Sequence, residues 1–331
     1  MYIDRDDQSY VDVFSVPSDE STPRILILGP PRSGVTSILM CIFEKRDQLE
    51  TVFLQSTTEL TRYSMYGGIE IFDLPVEANE HSYELTNISP FLSSNTIIIF
   101  VIDTQDDIQR SLLYLFSTME TAFRHQPDIQ FHIFLHKIDG LSEELRQDIN
   151  QDIQHRVLTN IDYEGWDSSL VQFHETSIYN KSIYEAMSRV SNKLIPNSNI
   201  LENILTSLCY KSNLDKAYLF DIENKLFIAT DSFPYASQYH QFCFDTVDLV
   251  EDLTSLSFQL NKNQTTDSKL LSLIQLDANF FIMTYQVSKL MLVCIVRDSV
   301  SRNISLLEFN AKKVSTSIKK VLEQSWTSSE D

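Results

Sequence analysis

Basic residues are scarce in this chain. Its 26 lysines and arginines stand against 46 aspartates and glutamates, a formal net charge of -20. No basic run or cluster is longer than a residue pair. Nucleic acid is therefore excluded as an expected partner, because neutralising phosphates needs a basic surface. The same balance disfavours direct adsorption to anionic lipid. Cysteine is also sparse. Cys41, Cys209, Cys243 and Cys294 are widely spaced in apolar surroundings. They exclude a disulfide framework or metal site and predict buried thiols of a reduced, cytosolic protein. No apolar stretch approaches the roughly 20 residues of a membrane-spanning helix. Residues 1–22 are acidic and polar, so no signal peptide is expected. Met1-Tyr2 and Ser328–Asp331 carry no myristoylation or prenylation signal. Membrane residence is expected only through a partner.

What is present is ordinary for a globular protein: 43% hydrophobic and 22% charged residues over 331 positions, enough for two domains. Residues 1–22 hold Asp4, Asp6, Asp7, Asp12, Asp19 and Glu20 among few apolar residues and read as a disordered acidic tail. From 24 to about 195, apolar strands alternate with helical patterns. Thr96–Asp103 is a continuous β-branched run expected of a strand buried on both faces, and Phe131–Leu135 is another. Between them Ile108, Leu112, Leu115, Met119 and Phe123 recur at helical spacing. Such alternation predicts an α/β domain, a mostly parallel sheet with helices on both faces, whose ligands bind beyond the carboxyl ends of the strands.

Pro196-Asn197-Ser198-Asn199 breaks this pattern and is the expected domain boundary. The expected domains are 23–196 and 197–326, followed by a short tail, 327–331. The second domain reads as a helix at 200–210, strands Lys216–Asp221 and Lys225–Thr230, and a helix-rich stretch to about 260. Strands near 269–276, 279–286 and 290–297 and an amphipathic helix over 302–325 follow. That order predicts a five-stranded antiparallel sheet with helices around it.

The chemistry concentrates in the first domain. Ile25–Leu28, an apolar strand, runs into the stretch GPPRSGVTS (29–37) and then a helical pattern. Strand, turn and helix are the context of a P-loop, G-x-x-x-x-G-K-[ST]. Gly29, Gly34 and Thr36 are in place, but Val35 occupies the lysine slot. Gly29, Arg32, Ser33, Gly34, Val35, Thr36 and Ser37 are the candidate phosphate-binding residues. Thr57 stands where a threonine completes Mg²⁺ coordination, and Asp73 ends a strand as the magnesium-sensing aspartate of D-x-x-G does, with Val76 replacing the glycine. Thr36, Thr57 and Asp73 are thus the candidate metal ligands. His136-Lys137-Ile138-Asp139 matches the guanine reader N-K-x-D with His for Asn. Asp139 can accept from guanine N1–H and its 2-amino group, while the alkyl stem of Lys137 lies along the base. Ser177 and Ile178 follow the last strand, where a backbone N–H can meet guanine O6. Taken singly, each piece has a structural explanation: an ordinary strand–turn–helix, a cap, a loop residue. Five pieces in this order point together to a Ras-like guanine-nucleotide fold, whose ligands would be GTP or GDP with Mg²⁺; that the site still binds nucleotide is a separate claim.

These motifs, with Phe53–Thr57, Val101–Asp107, His136–Ser142, Thr176–Tyr179, Lys193–Pro196, Leu201–Asn203, Lys216–Asp221 and Ile228–Ser232, resemble the Rag/Gtr GTPases, and among them the RagC/RagD branch. The likeness spans about 24 to 325, and His136 is usual in that family. It implies a Ras-like P-loop G domain with a six-stranded, mostly parallel sheet. It also implies a roadblock-like (longin/profilin-like) second domain that dimerises with a RagA/RagB-type partner. The heterodimer would dock on a roadblock-containing scaffold at the lysosome or vacuole. There it would recruit and activate the target-of-rapamycin kinase complex when amino acids are plentiful, the RagC-type subunit signalling in its GDP form.

Three departures fall on phosphate handling. Val35 removes a charge-assisted contact worth roughly 1.5–3 kcal/mol. Val76 disfavours positive φ and crowds the γ-phosphate. Glu77 stands where a glutamine would orient water, and its carboxylate repels phosphate. The resemblance makes Arg32 a less favoured replacement cation, since RagC-like loops carry an arginine there beside their own lysine. The expectation is a guanine-nucleotide-binding subunit with weak or absent intrinsic hydrolysis. The alternative is a pseudo-GTPase scaffold in the same complex that needs no nucleotide.

Overall fold

A computed structural model describes residues 22–54, 60–74, 77–78, 83–84, 88–234, 237–260, 271–276, 280–297 and 304–327. The chain divides into two compact units between Tyr179 and Asn180.

The first unit is built on strands β1 (Arg24–Leu28), β2 (Thr61–Met65), β3 (Ile69–Asp73), β6 (Thr96–Asp103), β7 (Gln130–His136) and β8 (Val171–Thr176), with a two-residue ribbon β4 (Glu77–Ala78) and β5 (Tyr83–Glu84) between β3 and β6. The six form one sheet in the order β2-β3-β1-β6-β7-β8, parallel except for the β2–β3 pair. All residues of β1 and β6 are buried, as their unbroken apolar runs require of strands covered on both faces. The sequence expectation of a mostly parallel six-stranded sheet holds. Helices α2 (Ile108–His125) and α3 (Glu143–Glu164) pack on the face that carries Leu26, Leu28, Phe100 and Ile102. Helix α2 does so through Leu112, Leu115, Met119 and Phe123, the residues whose spacing predicts it. Helix α1 (Val35–Phe43) buries Ile38, Leu39 and Ile42. Parallel strands aim their carboxyl ends to one edge. That edge collects Gly29 after β1, Asp73, Asp103, His136 and Thr176, the place where open α/β sheets bind ligands. Strand β1 lies between β3 and β6, where the strand order reverses.

The second unit holds α4 (Ser182–Asn192), α5 (Ser198–Ser212), β9 (Lys216–Asp221), β10 (Phe227–Thr230), α6 (Ser237–Leu260), β11 (Leu271–Gln275), β12 (Phe280–Val287), β13 (Leu290–Arg297) and α7 (Ile304–Thr327). Its strands form an antiparallel sheet, β10-β9-β13-β12-β11. The element order and the five-stranded antiparallel sheet are those read from the sequence. Strand β10 starts later than expected, because Lys225 turns the chain in the left-handed region with φ 57. Tyr218, Phe220, Phe227, Val247, Ile282 and Val293 form its core with Cys243. All four cysteines are buried and none is disulfide-bonded. A fully buried ion pair, Lys216 Nζ to Asp231 Oδ1 at 3.0 Å, is completed by Lys216 donating to the carbonyls of Asp231 and Phe233 at 3.1 and 2.7 Å. Helix α4 packs in this unit: Ser188 Oγ accepts from Phe227 N at 3.0 Å, and the Tyr184 ring lies 4.6 Å from Phe244. The break at 196–199 is a helix-to-helix turn at Asn197, φ 59. Packing therefore divides the chain ahead of α4, upstream of the compositional break.

Candidate functional site

The loop after β1 has its shape dictated by two glycines. A Cβ on Gly29 would lie 2.5 Å from Ser33 Oγ and 2.7 Å from the Val101 carbonyl, so no other residue fits without a shift. Gly34 caps α1 in the left-handed region, φ 109, where a side chain is strained, and its Cβ would meet the His136 ring at 2.8 Å. Between them Ser33 N donates to the Pro30 carbonyl at 3.0 Å, closing a turn, and Arg32 takes φ 72. The loop walls a cavity of about 500 Å³ with Thr36, Ser37, Asp73, Gln105, His136, Lys137, Asp139 and Ile178. The first turn of α1 thus lies in the cavity wall, and a helix start is an anion-binding arrangement. Val35, buried and apolar, puts no charge there.

On one side of the loop Thr36 Oγ1 donates to Asp73 Oδ2 at 3.3 Å, with Asp73 buried. A hydroxyl and a carboxylate are hard oxygen donors of the kind Mg²⁺ takes, so the pair fits that ion. Thr57 and Val76 lie outside the described residues, as does the side chain of Glu77.

The other side is braced by side chains. Lys137 sits in the left-handed region, φ 63. Its Nζ donates to Asp103 Oδ2 at 2.5 Å and to the Arg32 carbonyl at 2.8 Å. Gln105 Nε2 donates to the Lys137 carbonyl at 2.5 Å. Asp139 Oδ1 accepts from Ser177 Oγ, which itself accepts from Tyr179 N at 3.1 Å. His136 Nδ1 and Thr176 Oγ1 are hydrogen-bonded at 2.9 Å, and the His136 carbonyl accepts from Thr104 N and Oγ1 at 3.1 and 2.8 Å. Burial, aided by the Lys137 charge and opposed by Asp139, lowers the His136 pKa to about 4. The ring is therefore neutral at physiological pH and packs on Gly34 without a charge.

The structure brings together all described candidate residues of the first domain. Gly29, Arg32, Ser33, Gly34, Val35, Thr36, Ser37, Asp73, His136, Lys137, Asp139 and Ile178 line the one cavity, and Ser177 stands buried behind Asp139. Asp103 and Gln105 were missed by sequence reasoning as functional residues. The signal was present in Val101–Asp107, two polar residues at a buried strand's carboxyl end. Their role depends on the β6–β7 register, which sets Asp103 against His136.

Comparison with known proteins gives concordant matches. The model of the Gtr1/RagA G protein conserved region matches residues 24–250. Ras-related GTP-binding protein C of Homo sapiens is 33% identical over 323 residues, covering 94% of this chain and 79% of that protein. GTP-binding protein gtr2 of Schizosaccharomyces pombe is 34% identical over 308 residues, covering 90% of this chain and 97% of that protein. GTP-binding protein GTR2 of Saccharomyces cerevisiae is 34% identical over 246 residues, covering 73% of this chain and 71% of that protein.

Proposed function

Because this chain belongs to the Gtr1/RagA G protein family, we propose that it is a RagC/RagD-type subunit whose first unit binds guanine nucleotide with Mg²⁺. The observation that carries this reading is the braced base end of the cavity. The Asp139 carboxylate is held by Ser177 beside the Lys137 stem. A carboxylate fixed there accepts two hydrogen bonds from guanine N1–H and the 2-amino group. Adenine has no such donor pair, so the site discriminates by leaving polar groups unpaired when the wrong base enters. Thr36 and Asp73 would hold the ion, with Thr57 as the third residue on sequence grounds. When bound, Mg²⁺ neutralises phosphate charge and orients its oxygens. The phosphates themselves meet the loop's backbone N–H groups and the start of α1. With Val35 in the lysine slot, binding is weaker by about 10- to 100-fold, and intrinsic hydrolysis is weak or absent.

The second unit serves as the dimerisation unit, with a RagA/RagB-type subunit as partner. Phe242, Leu249, Leu253 and Leu256 stand exposed along α6 at spacings that keep them on one stripe. Strand β11 is an edge of the sheet and exposes Leu273. An apolar stripe and an open edge are surfaces that a partner covers. The heterodimer docks on a roadblock-containing scaffold and signals amino-acid sufficiency to the target-of-rapamycin kinase complex at the cytoplasmic face of the vacuole or lysosome. Among the described residues no helix is long and apolar enough to cross a membrane, in keeping with attachment through partners.

A second reading, a scaffold that needs no nucleotide, is favoured by one observation, the buried apolar Val35. The nucleotide content of the purified heterodimer separates the two. Stoichiometric GDP or GTP supports the binding subunit; an empty first unit with an intact heterodimer supports the scaffold.

A further inference from the structure

We infer that Arg32 supplies the cation for the nucleotide's phosphates in place of the missing P-loop lysine; the inference rests on the guanine-nucleotide reading above. Two cations line the cavity among the described residues, Arg32 and Lys137, and two carboxylates, Asp73 and Asp139. Lys137 is committed. Its Nζ is held by Asp103 Oδ2 at 2.5 Å, which neutralises it, and by the Arg32 carbonyl at 2.8 Å. Arg32 is the opposite case. Its side chain is exposed at the cavity wall, and its guanidinium makes no hydrogen bond or ion pair with any described residue.

The backbone at Arg32 supports the same conclusion. The residue sits at φ 72, a conformation that glycine holds freely and a side chain does not. The bond from Lys137 Nζ to its carbonyl fixes that conformation from the base side. An arginine is thereby held at a strained loop position with its backbone anchored and its charge uncommitted. The floor of the loop offers no competitor, since Val35 is buried and apolar. A guanidinium is a suitable group for this place: its planar fork bonds two phosphate oxygens at once, and it stays charged at every working pH. Arg32 is thus left as the uncommitted cation among the described residues of the wall.

The test is titration of the full chain, in Mg²⁺, with guanosine, GMP and GDP, comparing wild type with Arg32→Gln and Arg32→Lys. Arg32 is exposed, so both variants are expected to keep the wild-type melting temperature. The expected result is that Arg32→Gln weakens GDP by about 10- to 100-fold, the size of one charge-assisted contact, and leaves guanosine unchanged. Arg32→Lys should recover part of the loss, and adding Val35→Lys to Arg32→Gln should restore GDP binding. Unchanged GDP affinity in Arg32→Gln overturns the inference. So does wild type binding guanosine and GDP equally, which would leave the base-reading site standing without a phosphate cation. If neither ligand binds wild type, the nucleotide reading itself fails and Arg32 has no such role.

Discussion

The two ends of the cavity are built on different principles. At the base end nearly every polar group is tied by a side chain: Lys137 to Asp103, Asp139 to Ser177, His136 to Thr176, Gln105 to the Lys137 carbonyl. These bonds link the carboxyl ends of β6, β7 and β8, where Asp103, His136 and Thr176 lie in register. At the phosphate end the scaffold is backbone, the turn closed by Ser33 N and the start of α1, with Arg32 its one side-chain cation among the described residues. A backbone site keeps its shape when a side chain changes, provided its glycines remain. A braced site does not, because removing one member leaves its partner buried and unpaired. Val35 stands in the lysine slot of the motif while Gly29, Gly34, Lys137 and Asp139 match it, as that difference allows.

The contrast is broken most strongly at Asp139. Asp139→Asn removes the acceptor pair and should weaken guanine nucleotide by about 100-fold or more, since two charge-assisted bonds are lost. Preference should move towards xanthine nucleotides, measured by competition among GDP, XDP and ADP. An unchanged order among the three would mean that Asp139 does not read the base.

The next effect is on stability and pH. His136 and His240, one in each unit, are buried with pKa values lowered to about 4. Burial is the main cause in both. Nearby cations add to it, Lys137 at the first and Arg189 and Lys181 at the second. A histidine held neutral in the fold titrates near 6.5 when unfolded, so the unfolded state binds more protons between pH 6.5 and about 4. Stability is therefore full above pH 6.5 and falls as pH drops, by roughly 3 kcal/mol for each ring once below both values. His136→Asn, the residue usual in the guanine-reader motif, should flatten the acid loss of the first unit and leave that of the second. Chemical denaturation of each variant at pH 7 and pH 4.5 measures it; equal acid losses in wild type and variant would contradict it.

Gly34→Ala joins the two ends. The added methyl meets the His136 ring at 2.8 Å with the backbone at φ 109. A loss of about 2 kcal/mol is expected from strain and crowding together, read as a lower denaturation midpoint with GDP affinity reduced. A neutral substitution would show that the loop is free of His136.

The smallest effect sharpens the comparison. Val35→Lys restores the lysine and should raise GDP affinity about 10-fold, with hydrolysis still slow. If the pocket around Val35 is closed, lysine is a buried unpaired charge. The melting temperature then falls without any gain in binding, which favours the scaffold reading.

Much of this was legible in the sequence, for a physical reason in each case. The unbroken run Thr96–Asp103 and the spacing Leu112, Leu115, Met119 and Phe123 are local consequences of burial, and they became β6 and a face of α2. The glycines of the loop are legible because only glycine fits at Gly29 and Gly34. What depends on tertiary register was not. Asp103 acquires its role only when β6 and β7 align, and α4 joins the second unit through Ser188 and Tyr184, contacts that no periodicity announces. The ribbon β4–β5, with two residues in each strand, is too short to carry a pattern.

The central claim is that a guanine-reading site survives beside a weakened phosphate site. Its most direct test is titration of the full chain with GDP and with ADP in Mg²⁺. The expected result is GDP binding at least about 100-fold tighter than ADP, from the hydrogen-bond pair at Asp139. Equal binding of the two, or binding of neither, would contradict it.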